Sequence, residues 1–121
     1  MNNSDLNILE IGFGDDRVVG ANYEFYPSNR NTTLVGIDPL LGIVNQRSRD
    51  DIIHKYDDKG VHLHLRNMSC DDLLFMDSTF DAVVSTLVFC SVSEGCIEKA
   101  IDQIVRVLKP GGVFISLGKP Y

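Results

Sequence analysis

Positive charge is scarce in this sequence. Its 121 residues hold 11 Lys+Arg against 17 Asp+Glu, a net charge of −6, and no basic cluster is visible. Neutralising a phosphate backbone needs clustered positive charge, so no nucleic-acid partner is expected. Long apolar runs are missing too. The longest, at 82–92, is broken by Ser85, Thr86 and Ser91, and a membrane span needs ~18 or more apolar residues. Residues 1–5 are polar and the apolar stretch behind them is short, unlike a secretory leader; the expected compartment is the cytoplasm. The three cysteines, Cys70, Cys90 and Cys96, are odd in number and lack CxxC spacing. That makes a disulfide framework and a cysteine-built zinc site poor readings and favours small buried side chains. No repeat or Pro/Gly/Ser linker divides the chain, so residues 1–121 read as one domain.

What is present is an alternation of short apolar runs with helical stretches. Residues 6–11, 34–37, 61–65, 80–89 and 113–117 read as strands. The run at 80–89 is continuous and rich in β-branched residues, as in a strand covered on both faces. In 61–65, Val61, Leu63 and Leu65 alternate with His62 and His64. A helix is expected over 41–56, with Leu41, Val44, Ile52 and Tyr56 on one face. A second is clearer: Ile97, Ala100, Ile101, Ile104, Val105 and Leu108 fall at offsets 0, 3, 4, 7, 8 and 11, one stripe of a 3.6-residue period. Ser93 can cap its start, Lys109 closes it, Pro110 cannot extend it, and Gly111-Gly112 turns the chain into the fifth strand. Alternating strands and helices mean βαβ units and a parallel sheet with helices on both faces. Ligands on such sheets bind beyond the carboxyl ends of the strands.

The first strand ends in Glu10-Ile11-Gly12-Phe13-Gly14, where two glycines let the backbone turn tightly and approach a ligand. Asp38, 24 residues past Gly14, ends the second strand and can accept hydrogen bonds from two ribose hydroxyls. A tight strand–helix turn and a helix cap are the plain alternatives for these two features. A dinucleotide fingerprint would need Gly or Ala at position 17, where this chain has Arg17, and Asp15 and Asp16 occupy the turn where a pyrophosphate would lie. S-adenosylmethionine has no phosphate and carries a sulfonium cation, which acidic neighbours tolerate. His62 and His64 share a strand face, but no third metal ligand is evident, so they read as exposed strand histidines.

Glu10-Ile-Gly12-Phe-Gly14, Asp38, Phe80-Asp-Ala-Val-Val84 and Arg106-Val-Leu-Lys-Pro-Gly-Gly112 together resemble class I S-adenosylmethionine-dependent methyltransferases of the type 11 kind. Gly20-Ala-Asn-Tyr-Glu-Phe-Tyr-Pro27, Gly36-Ile-Asp-Pro39 and Ser85-Thr-Leu-Val-Phe-Cys-Ser-Val92 are similar, more narrowly, to the animal methyltransferase-like thiol S-methyltransferases. The resemblance implies a Rossmann-like, doubly wound sheet in the order 3-2-1-4-5. It implies a cofactor loop of Glu10, Gly12, Gly14 and Gly20 beside the methionine part of S-adenosylmethionine. Asp38 would take the ribose hydroxyls and Pro39 would lie next to the adenine. Ser69, Cys70 and Asp71 stand where that family meets the adenine amino group, with Asp71 as the acid. Thr86 and Leu87 would face the methionine end. The partner implied is a small-molecule methyl acceptor, possibly a thiol in view of the narrower match; no side chain matches a general base.

This chain departs from that family in three ways. Residues 15–19 lengthen the turn between Gly14 and Gly20. The resemblance implies an N-terminal membrane-attaching segment ahead of strand one and antiparallel strands after strand five, neither of which is read in residues 1–121, so a partial domain is expected. The expected function is methyl transfer to a small molecule; the alternative is a cofactor-binding or inactive module without turnover.

Overall fold

The apolar runs become strands because each is short, rich in branched side chains and bounded by turn-forming residues. A computed structural model describes residues 5–13, 22–28, 31–38, 45–85 and 94–116. Its strands are β1 (Leu6–Ile11), β2 (Thr32–Ile37), β3 (Val61–Arg66), β4 (Phe80–Ser85) and β5 (Leu108–Ser116). They form one sheet in the order β3-β2-β1-β4-β5, and every neighbouring pair is parallel. This is the order the alternation and the resemblance imply. β1 is central, and Ile8, Leu9, Glu10 and Ile11 are all buried, as a strand covered on both faces requires. At the edge, β3 buries Val61, Leu63 and Leu65 and exposes His62, His64 and Arg66, a period of two.

Each face of the sheet carries its own core. On one, Ile8, Leu34, Val61 and Val84 pack with Phe13, Tyr26 and Tyr56. On the other, Leu9, Ile11, Ile37 and Val83 pack with Ala100, Ile104 and Val107. The first is covered by α1 (Gln46–Asp57), which presents Ile52 and Tyr56. Within the described residues this helix starts at Gln46, later than the expected 41, because Asn45 caps it: the Asn45 side chain accepts the Ser48 N–H at 2.8 Å. Leu41 and Val44 lie outside the described residues.

The second helix, α2 (Glu94–Val107), differs from expectation in two ways. Its buried line is Ala100, Ile104 and Val107, while Ile101 and Val105 are 47% and 66% exposed. The apolar stripe is wider than the contact it makes. Second, the helix stops at Val107 rather than at Lys109. Leu108 already pairs with Phe80 in the sheet, and the register then slips so that Ala82 meets Val113. Tertiary pairing overrides a helical period that runs on to Leu108. Lys109 to Gly112 bulge out between the two pairings. Gly111 sits there at φ +82°, and a Cβ on Gly112 would lie 2.9 Å from the Lys109 carbonyl and 3.0 Å from that of Asp81, so both positions require glycine. Ser93 and residues 86–89, the rest of the expected fourth strand, lie outside the described residues.

Candidate cofactor site

Parallel pairing lines up the carboxyl ends of the strands. Ile11 lies opposite both Ile37 and Ser85, Ile37 opposite Arg66, and Ser85 opposite Ser116. The chain order reverses between β1 and β4, the switch point at which parallel sheets of this kind bind ligands. Gly12 and Asp38, the next residues of β1 and β2, therefore fall side by side at this edge.

The turn after β1 is fixed by backbone bonds. The N–H groups of Gly12 and Phe13 both donate to the Ile37 carbonyl at 3.0 Å, directly before Asp38. Gly12 adopts φ +80°, a conformation that disfavours a side chain. The turn then drives Phe13 into the core beside Tyr56, with ring centroids 5.8 Å apart. Asp38 is partly exposed, and its own N–H donates to the Arg66 carbonyl at 3.4 Å. A glycine turn beside a partly exposed carboxylate suits a ribose and an aminoacyl tail, so the residues present fit S-adenosylmethionine.

Glu10 takes a more buried place than the sequence suggests. Its carboxylate is 1% exposed and lies beneath the aromatic cluster of the α1 face. Tyr26 Oη donates to Oε1 at 2.5 Å, and Asn22 Nδ2 donates to Oε2 at 3.0 Å. Burial first, then the Glu10 charge and the hydrogen bond to it, raise the Tyr26 hydroxyl well above the ordinary tyrosine pKa. Burial and Glu10 raise Tyr56 too. The segment carrying Asn22 and Tyr26 includes one turn of 3-10 helix, Tyr23–Phe25, which is fastened to α1. The Lys55 and Lys59 ammonium groups lie 4.4 and 4.2 Å from the Tyr23 ring centroid, and Lys59 also donates to the Tyr23 carbonyl. Asn22 and Tyr26 did not stand out in the sequence as site residues, because their link to Glu10 spans a loop and follows no short-range pattern.

After β3, the Ser69 hydroxyl donates to Asp71 Oδ1 at 2.5 Å. The Cys70 side chain is buried in the core of the α2 face with Leu73 and Leu9. Ser69 and Asp71 are the half-exposed members of this trio. At the end of β4, the Ser85 hydroxyl is buried and has no hydrogen-bond partner among the described residues. Gly14, Gly20, Pro39, Thr86 and Leu87 lie outside the described residues. The structure therefore brings Glu10, Gly12 and Asp38 together at the ends of β1 and β2, with the 69–71 turn following β3. His62 and His64 point outward from β3, and among the described residues no group of three or more His, Cys, Asp or Glu side chains could hold a metal ion.

Residues 9–116 match the methyltransferase domain family. The chain belongs to that family, and its five-stranded sheet is the class I S-adenosylmethionine-dependent methyltransferase fold. It is 33% identical over 110 residues to the thiol S-methyltransferase TMT1B of Rattus norvegicus, covering 91% of this chain and 41% of the rat protein. It is 33% identical over 109 residues to the thiol S-methyltransferase TMT1A of Homo sapiens, covering 90% of this chain and 41% of the human protein. The chain thus spans about two fifths of the length of these relatives. Its fold superposes with a TM-score of 0.74 on a Methanococcus maripaludis protein proposed to be an S-adenosyl-L-methionine-dependent methyltransferase, at 17% identity, covering 95% of this chain and 48% of that one. Among the described residues, no helix is long and apolar enough to cross a membrane.

Proposed function

We propose that this chain binds S-adenosylmethionine at the ends of β1 and β2 and transfers its methyl group to a small molecule carrying a thiol. The observation that carries this reading is the Gly12 turn bonded to the Ile37 carbonyl, one residue before Asp38. Asp38 accepts from the ribose hydroxyls, and Pro39 lies beside the adenine. Gly12, Gly14 and Gly20 let the backbone close around the methionine part, with Thr86 and Leu87 across from it. Ser69 and Asp71 stand on the adenine side, and Cys70 supports that turn from the core.

When bound, the cofactor supplies a methyl group on an already activated sulfur leaving group. The chain's own residues then have to hold the acceptor near attack distance and exclude water. A thiol suits a sequence in which no side chain matches a general base, because a free thiol ionises near ~8.5 and is partly thiolate at neutral pH, whereas a hydroxyl would need a base. The thiol named for the rat and human relatives supports the same class. A net charge of −6 favours a small acceptor over nucleic acid.

The test is transfer of labelled methyl from S-adenosylmethionine to matched small thiols, alcohols and amines. The proposal expects S-methylated product only. Cofactor binding without transfer to any acceptor would instead assign a binding module.

A further inference from the structure

We infer that Tyr26 and Asn22 are positioning residues for the cofactor turn, acting through the carboxylate of Glu10. This rests on the reading of the β1 end as the S-adenosylmethionine site. The two oxygens of one buried carboxylate are engaged by two residues of the returning chain: Oε1 by the Tyr26 hydroxyl at 2.5 Å and Oε2 by the Asn22 amide at 3.0 Å. Glu10 lies two residues before Gly12, whose N–H is bonded to the Ile37 carbonyl. Chain leaving β1 is anchored by Phe13 in the core, and chain coming back is anchored on Glu10. Phe13 and Gly12 on one side, and Asn22 and Tyr26 on the other, are thus both tied to the end of β1. A buried carboxylate deprived of one donor must find another partner or admit water, and either response moves the backbone that leads into Gly12.

The closing experiment compares Tyr26→Phe, Asn22→Ala and Tyr23→Phe with the wild-type chain. Tyr26→Phe keeps the ring and removes the bond to Glu10. Tyr23→Phe removes a hydroxyl from the same cluster without touching Glu10. Two readouts are taken: S-adenosylmethionine affinity by calorimetry, and amide exchange in the protein without cofactor. The expected result is affinity about tenfold weaker in Tyr26→Phe and in Asn22→Ala, and unchanged in Tyr23→Phe. Exchange should quicken at Gly12, Phe13, Phe25 and Tyr26, with β2 and β3 as protected as before. Wild-type affinity in both variants, or exchange that rises evenly over the whole sheet, would overturn the inference. If Tyr26→Phe fails to fold, the partly exposed Asn22→Ala decides alone. If the wild-type chain binds no S-adenosylmethionine, the functional reading fails, and the exchange pattern still decides whether Tyr26 and Asn22 hold the turn.

Discussion

The ring of Phe13 lies directly against the backbone of Gly36. A Cβ built on Gly36 would stand 2.5 Å from both Cγ and Cδ1 of that ring. Phe13 is the residue that turns the chain off β1 into the core, and Gly36 is the last but one residue of β2. The missing side chain at Gly36 is thus what lets the Gly12 turn settle beside Asp38.

Gly36→Ala should therefore destabilise the fold by about 1–3 kcal/mol, the usual cost of overpacking a filled core. Phe13 cannot swing away cheaply, because it is buried and packs against Tyr56. In urea unfolding, Phe13→Leu placed on top of Gly36→Ala should recover part of that loss, since contacting sites couple. Two strictly additive losses would show that the two residues do not contact each other as described.

Asp38→Ala should weaken S-adenosylmethionine binding far more than Asp58→Ala. The first removes a charged acceptor for ribose hydroxyls, each such bond contributing ~1.5–3 kcal/mol. Asp58 is an exposed residue at the end of α1. Calorimetry on the two variants should separate them by at least about tenfold, and matching affinities would move the ribose elsewhere.

Alkaline pH should destabilise the protein through two tyrosines. Burial first, and next the Glu10 charge, hold the hydroxyls of Tyr26 and Tyr56 above the ordinary value of 10.0. Above that pH the unfolded chain releases protons that the folded chain keeps. Their contribution is thus fully present below about pH 10 and is lost as pH rises, at about 1.4 kcal/mol per unit for each tyrosine. Urea midpoints measured from about pH 9 to 12 should fall steeply in the wild-type chain. Tyr26→Phe should start lower and fall less steeply. Parallel curves would mean that Tyr26 ionises freely in the folded state.

Arg106 ties α2 to the chain ahead of β4. Its Nη1 donates to the Phe75 carbonyl at 2.7 Å and to Asp77 at 2.9 Å, and its Nη2 to the Leu73 carbonyl at 2.7 Å and to Gln103 at 2.9 Å. A lysine ammonium cannot span this fork. Arg106→Lys should cost about 1–3 kcal/mol through the acceptors it leaves unmet. Asp77→Asn should cost less than about 1 kcal/mol, because that ion pair is solvent-exposed. A larger loss from Asp77→Asn than from Arg106→Lys would contradict this description.

The strands, the glycine turn after β1 and the acid after β2 were legible in the sequence because they follow from local patterns, and the strand order was legible from the alternation together with the resemblance. What was not legible depends on contacts between distant residues. The Tyr26–Glu10 bond joins positions 16 apart, and no spacing rule connects a tyrosine beyond a loop to a strand carboxylate. The Arg106 fork reaches carbonyls about 30 residues away, and carbonyls leave no trace in composition. Leu108 continues the helical period of α2 yet starts β5, because pairing with Phe80 outweighs it. For Cys70, the core reading from residue type agrees with its buried side chain, while the resemblance set the same residue beside an adenine.

The most direct test of the account is isothermal titration of this chain with S-adenosylmethionine, with its demethylated product and, separately, with NAD. The account predicts one saturable site shared by the first two ligands and no heat of binding from NAD. Saturable binding of NAD, or no binding of S-adenosylmethionine to the folded chain, would contradict it.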